Sequence, residues 1–440
     1  MSATSKTDPQ AREPETQLEA KRQNDDASSS EIDNDNASIV STTSTIEWEH
    51  EPYETFQHKV AAYAHRRLWP TINPTDVRIT RMAGGGFNRI IGVSRLNPKG
   101  REVGAKYIIR IPRYADGPLW EWDIDVGKDA AALRFVEQQT SIPVPRVVSI
   151  TLGDDNELDR AHMIQRCVKG RSAMYVYLDC DHQVQCRLAT ELGNTFGQIL
   201  NTQSRIPGVP VFPHAEKPTT GTAVRIAPLP AANPRNSLPY EACQTAEPIP
   251  VLQFIETMLE HRKQVLRNDM DTKHLEWELS LYDMLRDLAR EINAKGYFDD
   301  VPYTLIHKDL QAHNILVNEN PFPGDAAITS IMDWDGALLG PAFMACVPPQ
   351  WLWGWVHDDD EDEAKANDVP ETAENREIKR LFEEAAGPLY MRFAYDPVYR
   401  IGRSILRYCF CRIGQNSHLE EIDGAVAKWK ALQQTEYRSE

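Results

Sequence analysis

The sequence has no apolar run long enough to cross a bilayer, little cysteine and no excess of basic side chains. Lysine and arginine number 48 against 65 aspartate and glutamate in 440 residues, which argues against a nucleic-acid-binding surface. The seven cysteines are odd in number and scattered, unlike a disulfide framework. The N-terminus has neither the apolar core of a signal peptide nor the basic character of a transit peptide. We therefore expect a cytoplasmic protein with no membrane or nucleic-acid partner, and the nucleus is the alternative location.

The acidity of the chain is concentrated in two segments. The net charge is −17, and residues 1–51 and 357–377 carry 12 and 10 acidic side chains against 4 and 2 basic ones. Residues 1–45 are too polar to offset the entropy of ordering, so we expect a disordered acidic tail there and an acidic loop over 357–377. A tail of this kind can contact protein partners, although its sequence specifies none.

The most informative stretch is LIHKDLQAHNILVNENPFPGDAAITSIMDWDGALLGP, residues 305–341. His307, Asp309 and Asn314 form an HxDxxxxN pattern, and Asp333 follows 19 residues after Asn314. Transfer of a γ-phosphoryl group needs a carboxylate to orient the acceptor hydroxyl and oxygen ligands to hold Mg²⁺. Asp309 suits the first role, and Asn314 and Asp333 suit the second. The stretch therefore predicts a kinase-type phosphoryl-transfer site.

Two short apolar runs in this stretch flank a turn-forming segment. Residues 315–317 and 328–332 have the composition of strands, and NENPFPGD between them has turn chemistry. The pattern predicts a hairpin that presents Asp309, Asn314 and Asp333 at one end.

HKDLQAHN followed by MDWDGALLGP resembles the aminoglycoside phosphotransferase family, the small-molecule branch of the protein-kinase-like fold. The resemblance implies an α+β fold of two lobes, with a small antiparallel sheet in the N-lobe and a mainly helical C-lobe. It also implies ATP and Mg²⁺ as cofactors, and a supporting role for His307 in the catalytic loop. On this basis we place the N-lobe, with a leading helix, at residues 46–165 and the C-lobe at residues 166–440.

A glycine-rich turn precedes this site by about 220 residues in the sequence MAGGGFNRIIGVSRL. Glycines let backbone amides approach phosphate oxygens without a Cβ in the way, although a plain hairpin turn has the same composition. By its position the segment resembles the nucleotide-covering loop of the family. This resemblance assigns nucleotide contacts to Gly84, Gly85, Gly86, Phe87 and Asn88.

The following strand departs from the protein-kinase pattern because Arg110 occupies the position of the usual lysine. Arginine keeps the positive charge but is bulkier and planar, so the exchange is not neutral. Strand alternation puts Ile108 on the same face as Arg110, which assigns Ile108 to the adenine pocket, and Lys106 is the alternative cation. The helix residue expected to pair with Arg110 is Asp129. In the alternative interpretation, Asp129 interacts favourably with the helix dipole in the N-terminal turn.

By resemblance to the family, the backbone of Gln165, Arg166 and Cys167 binds adenine in the segment that joins the lobes. Residues 204–250 are rich in proline and have little periodicity, which predicts a long irregular insertion. Trp351, Trp353 and Trp355 alternate beside the acidic loop, where they either line an acceptor pocket or pack in the core.

The sequence thus predicts an ATP- and Mg²⁺-dependent enzyme that phosphorylates a hydroxyl of a small molecule. The acceptor is unspecified, with aminoglycosides, choline-like alcohols and sugars all open. Because Arg110 and Asp129 are altered, the alternative is a pseudokinase that binds nucleotide or partners without transfer. A protein serine/threonine kinase is disfavoured because no APE-type segment follows Asp333.

Overall fold

The computed structural model describes residues 51–82, 88–113, 126–212, 222–229, 248–268, 275–322, 324–354 and 363–439, with side chains to residue 435. The predicted tail, the glycines of the glycine-rich turn, Phe87 and Trp355 lie outside these ranges. The two-lobed α+β architecture predicted above is confirmed, with one antiparallel sheet packed by few helices and a second, largely helical part.

The small sheet has five antiparallel strands in the order β1-β2-β3-β5-β4. One of its faces packs against the first helix, because apolar side chains recur at helical spacing in the helix and at alternate positions in the strands. The elements up to the end of this sheet are α1 (Tyr53–Leu68), β1 (Val77–Arg81), β2 (Asn88–Leu96), β3 (Glu102–Pro112), α2 (Val126–Gln139), β4 (Val147–Thr151) and β5 (His162–Arg166).

His162 connects the first helix to this sheet and is completely buried. Its Nδ1 donates to the carbonyl of Arg160 at 2.8 Å, and its Nε2 lies 2.7 Å from the hydroxyl of Tyr63 on α1. Burial lowers the pKa of His162 below its ordinary value of 6.5, so the ring is neutral in the folded protein.

We expect this neutral histidine to make stability depend on pH. The unfolded chain gains a proton at this side chain as the pH falls below about 6.5, whereas folded His162 gains it only at lower pH, so stability is lost as the pH falls between the two pKa values, by at most about 1.4 kcal/mol per pH unit. Melting temperatures measured from about pH 7.5 to 5.5 should fall less steeply for His162→Gln than for the wild type. Equal slopes would contradict this assignment.

The large part contains most of the helices and two further small sheets, ordered β7-β10-β13-β8-β9 and β12-β11-β6. No helix among the described residues is long and apolar enough to cross a membrane. The helices are α3 (Ala173–Val176), α4 (His182–Asn201), α5 (Val251–Asn268), α6 (Leu275–Ala294), α7 (Trp351–Gly354), α8 (Ala373–Tyr395), α9 (Pro397–Phe410) and α10 (Asn416–Ser439). The strands are β6 (Arg171–Ser172), β7 (Gln203–Ser204), β8 (Gly208–Val211), β9 (Arg225–Pro228), β10 (Tyr303–Ile306), β11 (Ile315–Val317), β12 (Ile328–Ile331) and β13 (Leu338–Pro341).

Helices α4 and α8 approach one another closely in this core. A Cβ on Gly193 of α4 would lie only 2.5 Å from the carbonyl oxygen of Phe382 on α8, so glycine is required for this approach. Phe196, one helical turn later, meets the ring of Phe382 edge-on at 5.6 Å between centroids. This packing fixes α4 and α8 against one another.

The description of residues 204–250 as one irregular insertion is wrong in part. Strands β8 and β9 pair with each other, and β8 also pairs with β13, which directly follows the DWDG segment. Four-residue strands that contain Pro210 and Pro228 were missed because proline normally excludes a strand, but it is tolerated near sheet edges. The segment therefore helps to support the site.

The chain around the predicted acidic loop contains more regular structure than the sequence indicates. Residues 357–362 of the predicted acidic loop lie outside the described ranges, and the prediction is wrong for part of the remainder, because Glu363–Asn367 form a 3₁₀ turn and α8 begins at Ala373 with Thr372 as its N-cap. Trp351 and Trp353 are buried at 2% and 4% exposure, so core packing is confirmed for these two.

Candidate functional site

His307 holds the loop that carries Asp309 against the end of β12. Its Nε2 donates to the carbonyl of Met332 at 2.7 Å, and its Nδ1 accepts from the backbone N–H of Asp309 at 3.3 Å. The ring also meets Trp334 edge-on at 4.5 Å. Burial lowers the pKa of His307, which keeps the neutral form that these two bonds require. His307 thus positions Asp309 and is itself almost inaccessible.

Asp309 presents a half-exposed carboxylate whose orientation is fixed by two neighbours. His313 Nε2 and Asn314 Nδ2 each lie 3.0 Å from its Oδ2, and Asn314 Nδ2 also donates to the Asp309 carbonyl at 2.9 Å. The hydrogen bond from His313 is the main cause that lowers the pKa of Asp309, against the opposing effect of burial. The carboxylate is therefore anionic near neutral pH.

Asn314 and Asp333 lie at the same end of the predicted hairpin. Strands β11 and β12 pair Ile315 with Ile331, and the N–H of Met332 donates to the Asn314 carbonyl at 2.8 Å. Because Asn314 turns its Nδ2 to Asp309, its Oδ1 is the side-chain atom available to a cation. Asp333 has a left-handed backbone with φ 57° and a side chain that is 46% exposed. The hairpin thus brings an amide oxygen and a carboxylate to one edge.

Arg110 reaches this edge from β3 of the small sheet. Its Nη2 donates a hydrogen bond to Asp335 Oδ2 and lies 3.5 Å from Asp333 Oδ1. With its amide turned to satisfy both donors, Asn88 accepts from Arg110 Nη2 at 2.6 Å and from Nε at 3.2 Å. Arg110 therefore links the small sheet to the DWD segment.

Electrostatics in this cluster are dominated by burial and by three carboxylates. Burial alone would lower the pKa of Arg110, but the charges of Asp335, Asp129 and Asp333 raise it above its ordinary value. Burial, reinforced by Asp333 and opposed by Arg110, raises the pKa of Asp335 to about 6. Asp129 is buried and its charge acts on Arg110, as the predicted pairing requires.

The remaining predicted nucleotide contacts lie on neighbouring strands. Ile108 is buried and pairs in register with Gln165, which is also buried. The backbone N–H of Arg166 donates to the carbonyl of Arg146, and the backbone N–H of Cys167 donates to the carbonyl of Lys106. These two N–H groups are already used within the protein, so a base bound here would need other backbone atoms. The alternative cation Lys106 pairs with Glu102 on the surface.

Three further residues of the site lie outside the catalytic, nucleotide-binding and metal-binding assignments made from the sequence. His313 binds Asp309 from four residues away, a spacing that is visible in HKDLQAHN. Asp335 accepts from Arg110, which the sequence alone does not indicate. Lys308 has φ 52°, and a Cβ on Gly336 would lie 2.6 Å from its Nζ, so its ammonium group covers the DWDG turn. Because non-glycine residues rarely adopt a positive φ, the backbone of Lys308 is locally strained beside Asp309.

A cavity lies under the catalytic loop and against α4. It is mostly apolar, apart from Asp309, Lys308, His307 and Gln311, whose Oε1 is buried without a hydrogen-bond partner. Its other walls are Phe196, Ile199, Ile306, Leu310, Met344, Ala345 and Val347.

The donor set at the hairpin edge fits a hard divalent cation. Asn314 Oδ1 and the Asp333 carboxylate are oxygen ligands of the kind that Mg²⁺ uses together with phosphate oxygens and water. Asp335 Oδ1 is buried without a hydrogen-bond partner, which leaves one more oxygen unsatisfied at the same edge. The guanidinium of Arg110 beside these carboxylates is suited to phosphate oxygens.

Comparison with known proteins agrees with this chemistry. Residues 95–366 match the model of the phosphotransferase enzyme family. A subtelomeric hrmA-associated cluster protein of Aspergillus fumigatus is 24% identical over 71% of this chain and 68% of its own length.

Similar solved structures include the GDP complex of wild-type aminoglycoside 2'-phosphotransferase-IIIa, with 15% identity, a TM-score of 0.43, and coverage of 84% of this chain and 98% of that one. Choline kinase from Cryptosporidium parvum Iowa II has 13% identity, a TM-score of 0.43, and coverage of 86% and 97%.

The match over residues 95–366 spans more than half of the chain and contains the HKDLQAHN and DWDG motifs. The resemblance found in the sequence is therefore confirmed, and the chain belongs to the phosphotransferase enzyme family.

Proposed function

We propose that this protein transfers the γ-phosphoryl group of ATP to a hydroxyl group of a small molecule, with Mg²⁺ as the metal. The observation that most supports this function is the convergence of Asp309, Asn314 and Asp333 with Arg110 at one edge of the β11–β12 hairpin. Phosphoryl transfer requires an anionic carboxylate in a fixed orientation, oxygen ligands for a metal ion and a cation for the phosphates.

Asp309 orients the acceptor hydroxyl and accepts its proton. Its carboxylate is suited to this role because His313 and Asn314 fix Oδ2, while half of the side chain remains open to a substrate. A base held in one orientation lowers the entropic cost of reaching the reactive geometry. His307 keeps the loop in place through Met332.

Asn314 and Asp333 would hold Mg²⁺ through Oδ1 and the carboxylate, and the ion would supply positive charge to offset the charge of the transferred phosphoryl group. Arg110 orients the phosphates with Asn88, and Asp129 balances its charge from α2. Ile108 and residues 165–167 line the adenine site in this proposal, which also keeps the phosphate-binding role that the sequence predicts for the glycine-rich turn and Phe87. In this scheme residues 46–165 bind mostly nucleotide, and residues 166–440 supply the catalytic loop and the acceptor site.

One observation favours a second candidate, a nucleotide-binding protein without transfer activity. Arg110 contacts Asp333, the carboxylate needed for the metal, and donates a hydrogen bond to Asp335. A nucleotide would have to exchange the contact with Asp333 for contacts between Arg110 and its phosphates to free both carboxylate oxygens for the metal. If that exchange does not occur, the protein would bind nucleotide weakly and transfer nothing.

Thermal-shift titration tests the exchange. We expect a non-hydrolysable ATP analogue to raise the melting temperature in the presence of Mg²⁺ and to raise it much less without the metal, because binding to the folded state alone stabilises it. A parallel titration with a GTP analogue tests the choice of base. A shift that is unchanged by Mg²⁺ would favour the second candidate, and the absence of any shift would contradict nucleotide binding.

A further inference from the structure

Three side chains from two helices converge at the surface of the large part. His182 and Cys186 lie four residues apart on α4, and Glu377 faces them from α8. His182 Nε2 lies 3.0 Å from Glu377 Oε2 and 3.4 Å from Cys186 Sγ. All three donor atoms fit within 4.8 Å of one another. The imidazole nitrogen is therefore between a thiol and a carboxylate.

The spacing of these atoms is close to that of ligands around one tetrahedral ion. With a metal–sulfur bond of about 2.3 Å and metal–nitrogen and metal–oxygen bonds of about 2.0 Å, a tetrahedral site separates sulfur from nitrogen by about 3.5 Å and nitrogen from oxygen by about 3.3 Å. The observed sulfur–nitrogen and nitrogen–oxygen separations of 3.4 Å and 3.0 Å differ from these values by only a few tenths of an ångström, and the sulfur and the carboxylate oxygen lie within 4.8 Å of one another. Small rotations of the three side chains would complete the site.

The donor types select among metals. A thiolate, an imidazole and a carboxylate are the ligands of zinc, whereas Mg²⁺ and Ca²⁺ prefer oxygen alone. The His182 and Glu377 side chains are 37% and 50% exposed, so a metal ion and a water molecule can reach the site. Arg380, the nearby cation, is paired with Glu384 at 2.8 Å.

We propose that His182, Cys186 and Glu377 bind Zn²⁺ with water as the fourth ligand. The Cys186 thiol loses its proton to solvent when the metal binds. Since α4 and α8 already touch at Gly193 and Phe382, the metal fastens the same pair of helices at the beginning of α4. The proposal does not depend on phosphoryl transfer.

Cobalt substitution of the full-length, chelator-treated protein tests the site directly. We expect one equivalent of Co²⁺ to give the visible bands of a tetrahedral ion and a near-ultraviolet thiolate-to-cobalt band, both abolished by added Zn²⁺. Cys186→Ser should remove the thiolate band and weaken Zn²⁺ binding at least tenfold. Cys180→Ser is the matched control, because the Cys180 thiol donates to the carbonyl of Val176 at 3.3 Å and lies outside the cluster.

Stability provides the second readout. Zn²⁺ should raise the melting temperature of the wild type and of Cys180→Ser but not that of Cys186→Ser. If Cys186→Ser does not fold, His182→Gln and Glu377→Gln take its place, and each should weaken Zn²⁺ binding by a similar factor. A thiolate band that survives Cys186→Ser would place the metal elsewhere. A wild type that binds Zn²⁺ no more tightly than the variants would show only a hydrogen-bonded cluster.

Discussion

Replacing Asp309 with asparagine should lower the rate of phosphoryl transfer by about 10²- to 10⁴-fold, which is the usual contribution of a positioned general base. Asparagine has nearly the same size and can still accept a hydrogen bond from His313 or Asn314, but it cannot take a proton from an acceptor. The affinity for ATP and Mg²⁺ should remain close to that of the wild type. Rates measured under single-turnover conditions and nucleotide titrations check both parts.

The control for this variant is Glu319→Gln. Glu319 forms a surface ion pair with Arg171 at 3.0 Å just beyond β11, so its loss removes a carboxylate from the same hairpin without touching the site. We expect its transfer rate to match the wild type. If Asp309→Asn also kept the wild-type rate, the assignment of Asp309 as the base would be wrong.

Replacing Asp333 with asparagine should remove most of the Mg²⁺-dependent binding of ATP and lower the transfer rate by about 10²-fold or more, because the metal contributes several kcal/mol to stabilising the transition state. Asparagine is preferable to alanine here because Asp333 has φ 57°, a conformation that asparagine tolerates well. The fold should persist, since the side chain is half-exposed and its contact with Arg110 is long. Calorimetric titration with and without Mg²⁺ measures the effect.

Asp325→Asn is the matched control, because Asp325 is an exposed carboxylate in the turn between β11 and β12. It should bind ATP with the same dependence on Mg²⁺ as the wild type. An Asp333→Asn variant that kept this dependence would show that the metal is held by other groups.

The loop of residues 307–314 could be predicted from the sequence because its residues are close together in the chain. Asp309 and Asn314 are five residues apart, and the turn-forming segment fixes how Asp333 returns to them. His313 could have been found by the same reasoning, since four residues separate it from Asp309. Local spacing therefore predicts the loop and the hairpin, and the resemblance carried by HKDLQAHN and MDWDGALLGP indicates the family.

Contacts between distant segments could not be predicted in the same way. Arg110 meets Asp335 across 225 positions, and the strand alternation of β3 predicted only which face it occupies. Strands β8 and β9 were missed because proline has a low propensity for strands. They form because β8 pairs with β13 and β9 pairs with β8, contacts that the local sequence does not indicate. The cluster of His182, Cys186 and Glu377 could not be predicted either, because its residues come from two helices, α4 and α8. The sequence shows only the four-residue spacing of His182 and Cys186 on α4.

Incubation of the wild-type protein with γ-labelled ATP, Mg²⁺ and a panel of hydroxyl-bearing metabolites tests the central claim most directly. The panel should include cationic, neutral and anionic alcohols, with Asp309→Asn as the inactive comparison. We expect label to appear in one class of acceptor with the wild type and to be reduced by at least about 10²-fold with Asp309→Asn. Bound nucleotide with no labelled acceptor across the panel would contradict phosphoryl transfer and favour the binding protein without transfer activity.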